Sequence, residues 1–258
     1  MNTDIRAIFL DLGGTFRIVH KNKPYQDAAK QGIAKLCGTD MDFAAFYSLV
    51  EARYDVYREW VLLHRCEAPE EVLWTRWLAP EFNRDRIEKA AAELTYLYRQ
   101  VKGERCVVEG GVETVKELYK RGYTLGIISD LVGTQEIDEW LDKDKLKPYF
   151  KTVQQSSITL IRKPHPAIYY LALREAGVRA ENSAYIGDNL TRDIVGAKVS
   201  GFGMTVGVDY PGMAPFAPTQ ETMPDTKITA FPQLLSLFPA FGRVNMDGFA
   251  HLDKEILA

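Results

Sequence analysis

Apolar residues recur along this chain in two patterns, and the change from one to the other divides it. Short, nearly unbroken apolar runs occur at 7–12, 125–129, 184–188 and 204–208, with weaker ones at 152–155 and 227–229. Runs this short, bounded by glycine and polar residues, read as buried strands. Between them apolar positions fall three and four apart, which predicts helices at about 112–120, 133–143, 166–176, 191–200 and 231–238. Gly177 and Gly201 stand where helix C-caps belong. Strands alternating with helices predict an α/β fold on a parallel sheet.

Residues 18–103 break this rhythm. Phe43, Phe46, Tyr47, Val50, Tyr54, Tyr57 and Val61 keep helical spacing, so a long amphipathic helix is expected there. Segments 24–36, 69–78 and 84–101 read as further helices, two of them opening with a proline in the first turn. The expectation is an all-helical insert placed directly after the first strand. Residues 211–224, rich in proline, read as an irregular loop, and 240–258 carries no pattern that assigns an element.

Composition narrows the class of protein. With 258 residues the chain can bury one good core and a smaller second one. A net charge of only −3 supplies no field that would draw it to nucleic acid or an anionic membrane. No apolar run approaches the ~20 residues of a bilayer span. Cys37, Cys66 and Cys106 are odd in number, far apart and without metal-site spacing. The sequence passes from Met-Asn-Thr-Asp-Ile-Arg straight into the first strand, leaving no room for a signal peptide. The expectation is a cytoplasmic protein, and no feature indicates an oligomeric state.

Chemistry gathers at strand ends. Asp11, Ser129 and Asp188 each follow an apolar strand, and Lys163 lies in the loop before a helix. In a parallel sheet these ends share one edge, where ligands bind. Two carboxylates, a hydroxyl and an ammonium suit a phosphoryl group with a divalent metal. Singly, each has a plainer reading as a cap, turn or solvated residue. Their combination is what points to a site. His165 reads as a helix-entry residue, and His20, His64 and His251 have no partner pattern. The aromatic residues of 54–98 sit at core spacing. Arg53, Arg58, Arg65, Arg76, Arg84 and Arg86 interleave with eight acidic residues between 51 and 85, which favours an ion-paired, solvated face.

Four motifs in order carry a resemblance. Asp-Leu-Gly-Gly-Thr at 11–15, Ile128-Ser129, Arg162-Lys163-Pro164-His165-Pro166, and Gly187-Asp188-Asn189 with Asp193 are similar to the motifs of the haloacid dehalogenase superfamily of hydrolases. Gly196-Ala197-Lys198 through Gly201 extends the likeness. It implies a Rossmann-like core from 1–17 and 104–258, with 18–103 as a helical cap domain. It also implies a small phosphorylated substrate and Mg²⁺. Asp11 would be the nucleophile of an aspartyl-phosphate mechanism. Ser129 and Lys163 would hold phosphoryl oxygens, and Gly13, Gly14, Thr15 and Asp130 would line the substrate. Asp11, Asp188 and the Gly13 carbonyl would bind the metal, with Asn189 and Asp193 behind them.

Position 13 departs from that resemblance. Phosphatases of the family carry a second aspartate there, which protonates the leaving oxygen and later activates water. Such help is worth roughly 10²–10⁴ in rate. Glycine leaves three possibilities open: a leaving group that needs no proton, a stand-in such as Arg17 or a cap residue, or binding without turnover. Two sister chemistries also lack the aspartate. The family's dehalogenases carry an aromatic residue there and use no metal, which fits poorly with Gly187-Asp188. Its phosphonate hydrolases use a small residue there but add a cap lysine as a Schiff base. No lysine lies between Lys35 and Lys89, so the candidates would be Lys21, Lys23, Lys30, Lys35, Lys89 and Lys102.

Overall fold

The computed structural model describes residues 4–213 and 216–240. The segment left unassigned above therefore lies, from 241 onward, outside the described residues. In chain order the elements are β1 (Ala7–Leu10), β2 (Arg17–His20), α1 (Lys23–Cys37), α2 (Phe43–His64), α3 (Glu70–Val72), α4 (Arg84–Val101), β3 (Glu104–Val107), α5 (Gly111–Lys120) and β4 (Thr124–Ser129). They continue with α6 (Glu136–Lys143), β5 (Phe150–Gln155), α7 (Ser156–Thr159), α8 (Pro166–Ala176), β6 (Ser183–Gly187), α9 (Gly196–Val199), β7 (Met204–Val208), β8 (Thr226–Ile228) and α10 (Leu234–Leu237). Turns of π-helix at Leu73–Leu78 and Leu190–Val195 extend α3 and lead into α9.

Six strands form one parallel sheet in the order β5-β4-β1-β6-β7-β8. The parallel α/β sheet expected from the sequence is thus present. β1 is buried on both faces: Ile8 and Leu10 enter one apolar cluster, Ala7 and Phe9 the other. A strand covered on both sides needs a continuous apolar run, which is why 7–10 shows no alternation. The chain leaves β1 toward β4 and β5 on one side and β6, β7 and β8 on the other. Leu10 is in register with both Ile127 of β4 and Ile186 of β6. Such a switch point opens a crevice at the strands' C-terminal ends.

A third apolar cluster belongs to α1–α4, with Phe46, Tyr57, Trp74 and Tyr98 at its centre. The helices start where capping chemistry permits: the side chains of Asn22, Asp42 and Asn83 accept from first-turn N–H groups of α1, α2 and α4. Pro24 occupies the first turn of α1 as expected, whereas Pro69 is the N-cap of α3 and not its first residue.

One element escaped the sequence pattern. Residues 17–20 form β2, which pairs antiparallel with β3 from Arg17↔Val107 to His20↔Glu104. Residues 18–20, expected within the helical segment, are therefore extended. Arg-Ile-Val-His is too short to show alternation, and its partner lies more than 80 residues away. The ribbon binds the outgoing and returning chain side by side, between the sheet and the helices.

Candidate active site

Three strand ends and two loops converge. Asp11 follows β1 and is fixed by its N–H donating to the Ile186 carbonyl at 2.9 Å. Ser129 ends β4, and Asp188 directly follows β6. Lys163 reaches in from the loop before α8. Its Nζ donates to Asp11 Oδ1 at 2.8 Å, Asp193 Oδ1 at 2.7 Å, the Tyr185 hydroxyl at 2.9 Å and the Ile128 carbonyl at 3.0 Å. Burial alone would drive the ammonium towards neutrality, but the carboxylates of Asp11, Asp193 and Asp130 outweigh it and raise its pKa.

Around this lysine each carboxylate has its own surroundings. Asp193 has both oxygens engaged, one by Lys163 and the other by the Asn189 N–H at 2.9 Å. Asn189 in turn caps the next turn through Arg192 N–H. Among the described residues Asp188 accepts only from Thr15 Oγ1, at 3.3 Å. Burial first, then Asp11 and Asp193, push its carboxyl up to about 7. Carboxylate oxygens of Asp11, Asp188 and Asp193 lie within 4.8 Å of one another. One ammonium thus serves three clustered acids. The undercharged part of the cluster is the Asp11–Asp188 edge, a donor set that fits a hard divalent cation.

The glycine loop has two unlike residues. Gly14 has a φ of +83°, and a β-carbon there would lie 2.4 Å from Asp188 Oδ2. Glycine is needed both for the backbone conformation and for that approach. At Gly13, which is exposed, a β-carbon would meet nothing within 4 Å. Thr15 is fully buried, and its carbonyl accepts from the Tyr210 hydroxyl at 2.8 Å.

Asp130 lies one residue past Ser129, but its side chain is turned inward. Oδ1 accepts from the Lys163 N–H at 3.0 Å. Oδ2 lies 3.6 Å from Arg162 Nη2 and 3.9 Å from Arg192 Nη1. Arg17 closes the glycine loop through its carbonyl, which accepts from the Gly14 N–H at 2.9 Å, but its side chain leaves this chemistry. Its buried guanidinium pairs with Asp144 and stacks 4.6 Å over Trp140, which removes it as a stand-in for the missing acid. His165 caps α8 by accepting from the Ala167 N–H, in keeping with its expected helix-entry role.

The helices meet the core above these residues. Glu67, in the loop after α2, pairs with Arg162 and accepts from Tyr57 and Ser156. The backbones join there too, with Glu67 N–H donating to the Leu160 carbonyl and Arg162 N–H to the Arg65 carbonyl. Glu70 accepts from the Thr134 hydroxyl, and Arg99 donates to Glu136 at 2.8 Å. Sequence reasoning missed Glu67, Tyr185 and Tyr210, and it named Arg162 within a motif without giving it a role. Of the three missed, Tyr185 left a trace, as a hydroxyl inside an apolar strand.

With this geometry in view, the relationships of the chain are clear. Residues 43–206 match the family pattern of haloacid dehalogenase-like hydrolases. The chain belongs to that family and is a hydrolase. It is 30% identical to a glyceraldehyde 3-phosphate phosphatase of Pyrococcus furiosus over 243 residues, covering 90% of this chain and 92% of the relative. A phosphoglycolate phosphatase of Pectobacterium atrosepticum is 26% identical over 63% of this chain and 68% of its own. Among solved structures, a 2-haloacid dehalogenase of Pseudomonas syringae superposes with a TM-score of 0.65 at 21% identity, covering 90% of this chain and 97% of its own. A phosphatase of the same superfamily from Thermococcus onnurineus gives 0.58 at 20% identity, covering 92% and 99%. These structures share the fold.

Proposed function

We propose that the protein is a Mg²⁺-dependent phosphatase of small phosphorylated metabolites, working through an aspartyl-phosphate on Asp11. The observation that carries this reading is the Lys163 ammonium shared by Asp11 and Asp193, with Asp188 left undercompensated beside them. The names of the relatives support phosphate ester hydrolysis. Asp11 attacks phosphorus, while Lys163 neutralises the nucleophile and, with Ser129, holds the phosphoryl oxygens. Thr15 keeps Asp188 in place, and Asp130 fixes the backbone of the Lys163 loop. Asp11, Asp188 and the Gly13 carbonyl would hold Mg²⁺, which supplies positive charge to the transferring phosphoryl group. Asp193 stands behind this set, because both its oxygens are already engaged.

In this reading residues 18–103 act as a cap over a core of 1–17 and 104–258, closing the site to water. The three free cysteines agree with a cytoplasmic, reducing compartment. No helix among the described residues is long and apolar enough to cross a membrane. Gly13 leaves the leaving oxygen without its acid, so acyl and aryl phosphates are the favoured substrates. That loss corresponds to about 3–5 kcal/mol of barrier. The carbon–phosphorus alternative needs a free cap lysine; Lys102 is held by Glu51.

Phosphate release from acetyl phosphate and p-nitrophenyl phosphate, with and without Mg²⁺, tests the proposal. Both have good leaving groups. Release that depends on Mg²⁺ and vanishes in Asp11→Asn is expected, and no release from either compound would sink the reading.

A further inference from the structure

A cavity of about 240 Å³ lies between the helices and the site, and its walls are almost entirely polar. Its core side is built from Asp130, Arg162 and Arg192. Each of these is the chain neighbour of a site residue: Ser129, Lys163 and Asp193 respectively. Consecutive Cα atoms are ~3.8 Å apart, so the cavity begins one residue away from the Asp11 cluster. Its other side comes from α2 and the end of α4, through Arg58, Arg99 and Lys102, with Glu51 and Asp55 among them.

The charges in this lining do not balance. Lys102 is matched by Glu51, Arg99 by Glu136 and Arg162 by Glu67. Asp55 is exposed. Among the described residues Arg192 makes one direct ion pair, with Asp130 at 3.9 Å, which it shares with Arg162; Asp193 and Asp11 act on it from farther off. Arg58 makes no ion pair among the described residues. The Nε atoms of Arg162 and Arg192 and Oδ2 of Asp130 between them are buried without a hydrogen-bond partner, and the Arg162 side chain is only 10% exposed. Five cationic side chains against three acidic ones give this confined polar lining an excess of positive charge, which suits an oxyanion; guanidinium groups bind one with two parallel bonds.

We infer that this cavity is a subsite for a second anionic group, carboxylate or phosphate, carried on the leaving-group side of the substrate and held by Arg192 and Arg58. The inference rests on reading the Asp11 cluster as the phosphoryl site. The volume, below the ~300–1,000 Å³ of larger ligand pockets, limits the leaving group to a few carbons. A substrate of this class carries anions at both ends: one in the Asp11 pocket, the other under α2.

Calorimetric titration with three matched ligands in Mg²⁺ tests the subsite: propyl phosphate, 3-phosphooxypropanoate and propane-1,3-diol bisphosphate. At least one doubly anionic ligand should bind about tenfold or more tightly than propyl phosphate. Whichever does so tells carboxylate from phosphate. In Arg192→Gln and in Arg58→Gln the ligands should converge to within about twofold. Arg58 is exposed, so its variant is not open to the objection of misfolding. Equal binding of all three by the wild type, no binding of any, or a preference that survives both substitutions overturns the inference. Phosphate release from acetyl phosphate is followed in parallel. Absent release with an intact preference removes the phosphatase reading and leaves the subsite. Release without preference does the opposite.

Discussion

Gly14 lies so close beneath Asp188 that a β-carbon at position 14 would stand 2.4 Å from Asp188 Oδ2. Its neighbour Gly13 has no such constraint. The two glycines therefore have different physical reasons for being there, and substitutions at the two positions should separate them.

Gly13→Asp should fold normally, since a side chain there enters open space. It restores a carboxyl beside the nucleophile, so turnover of alkyl phosphates should rise by about 10²–10⁴. Acetyl phosphate, which needs no proton, should change far less. A comparison of kcat/KM for the two substrates checks this. No gain with the alkyl ester would show that residue 13 does not limit the reaction.

Gly14→Ala should fail in both respects. The left-handed backbone costs an alanine roughly 1–2 kcal/mol, and Asp188 must move away from the new methyl group. Urea denaturation should register the stability loss, and Mg²⁺ affinity should fall with it. Wild-type affinity in the variant would contradict the close approach.

Asp188 couples stability to pH. Its folded carboxyl is pushed up to about 7 by burial, then by Asp11 and Asp193, from an ordinary value near 4. The folded protein therefore keeps a proton that the unfolded chain releases between about pH 4 and 7. The stability this group contributes is complete below that window and is lost as pH rises through about 7. Mg²⁺ favours the ionised form, so its stabilising effect should be larger near pH 8 than near pH 5. Calorimetric melting at both values, with and without Mg²⁺, measures this; equal shifts would refute it.

Glu67 holds the loop after α2 onto Arg162 from a fully buried position. Glu67→Ala leaves the buried Arg162 guanidinium with only the longer contact to Asp130, among the described residues, and should cost up to about 3–5 kcal/mol. Removing Arg162 as well should recover part of that loss. A double-mutant cycle by urea unfolding reads the coupling directly. Additive losses would mean that the pair does not act as a unit.

Much of the sheet was legible in the sequence because a strand covered on both faces must be apolar throughout. The runs at 7–12, 125–129, 184–188 and 204–208 needed no knowledge of their partners, and strands lie at 7–10, 124–129, 183–187 and 204–208. The helices of 23–101 were equally visible, since each buries one face at a fixed period. β2 was not, because four residues carry too little pattern and its pairing with β3 is a long-range event. Arg17 illustrates the same limit: its position after the first motif suggested chemistry, yet its side chain runs to Asp144 and Trp140.

The sequence by itself determined the order of the elements and the residue types at the strand ends: Asp11, Ser129, Lys163 and Asp188. Local periodicity and loop chemistry are written in neighbouring residues. The tertiary structure alone decided that Lys163 is shared between Asp11 and Asp193, that Asp188 is left undercompensated, and that Arg58 meets Arg162 and Arg192 across one cavity. These groups come from segments up to 182 positions apart, Asp11 and Asp193 being the farthest. Their charges interact through space, at distances that only the folded chain sets.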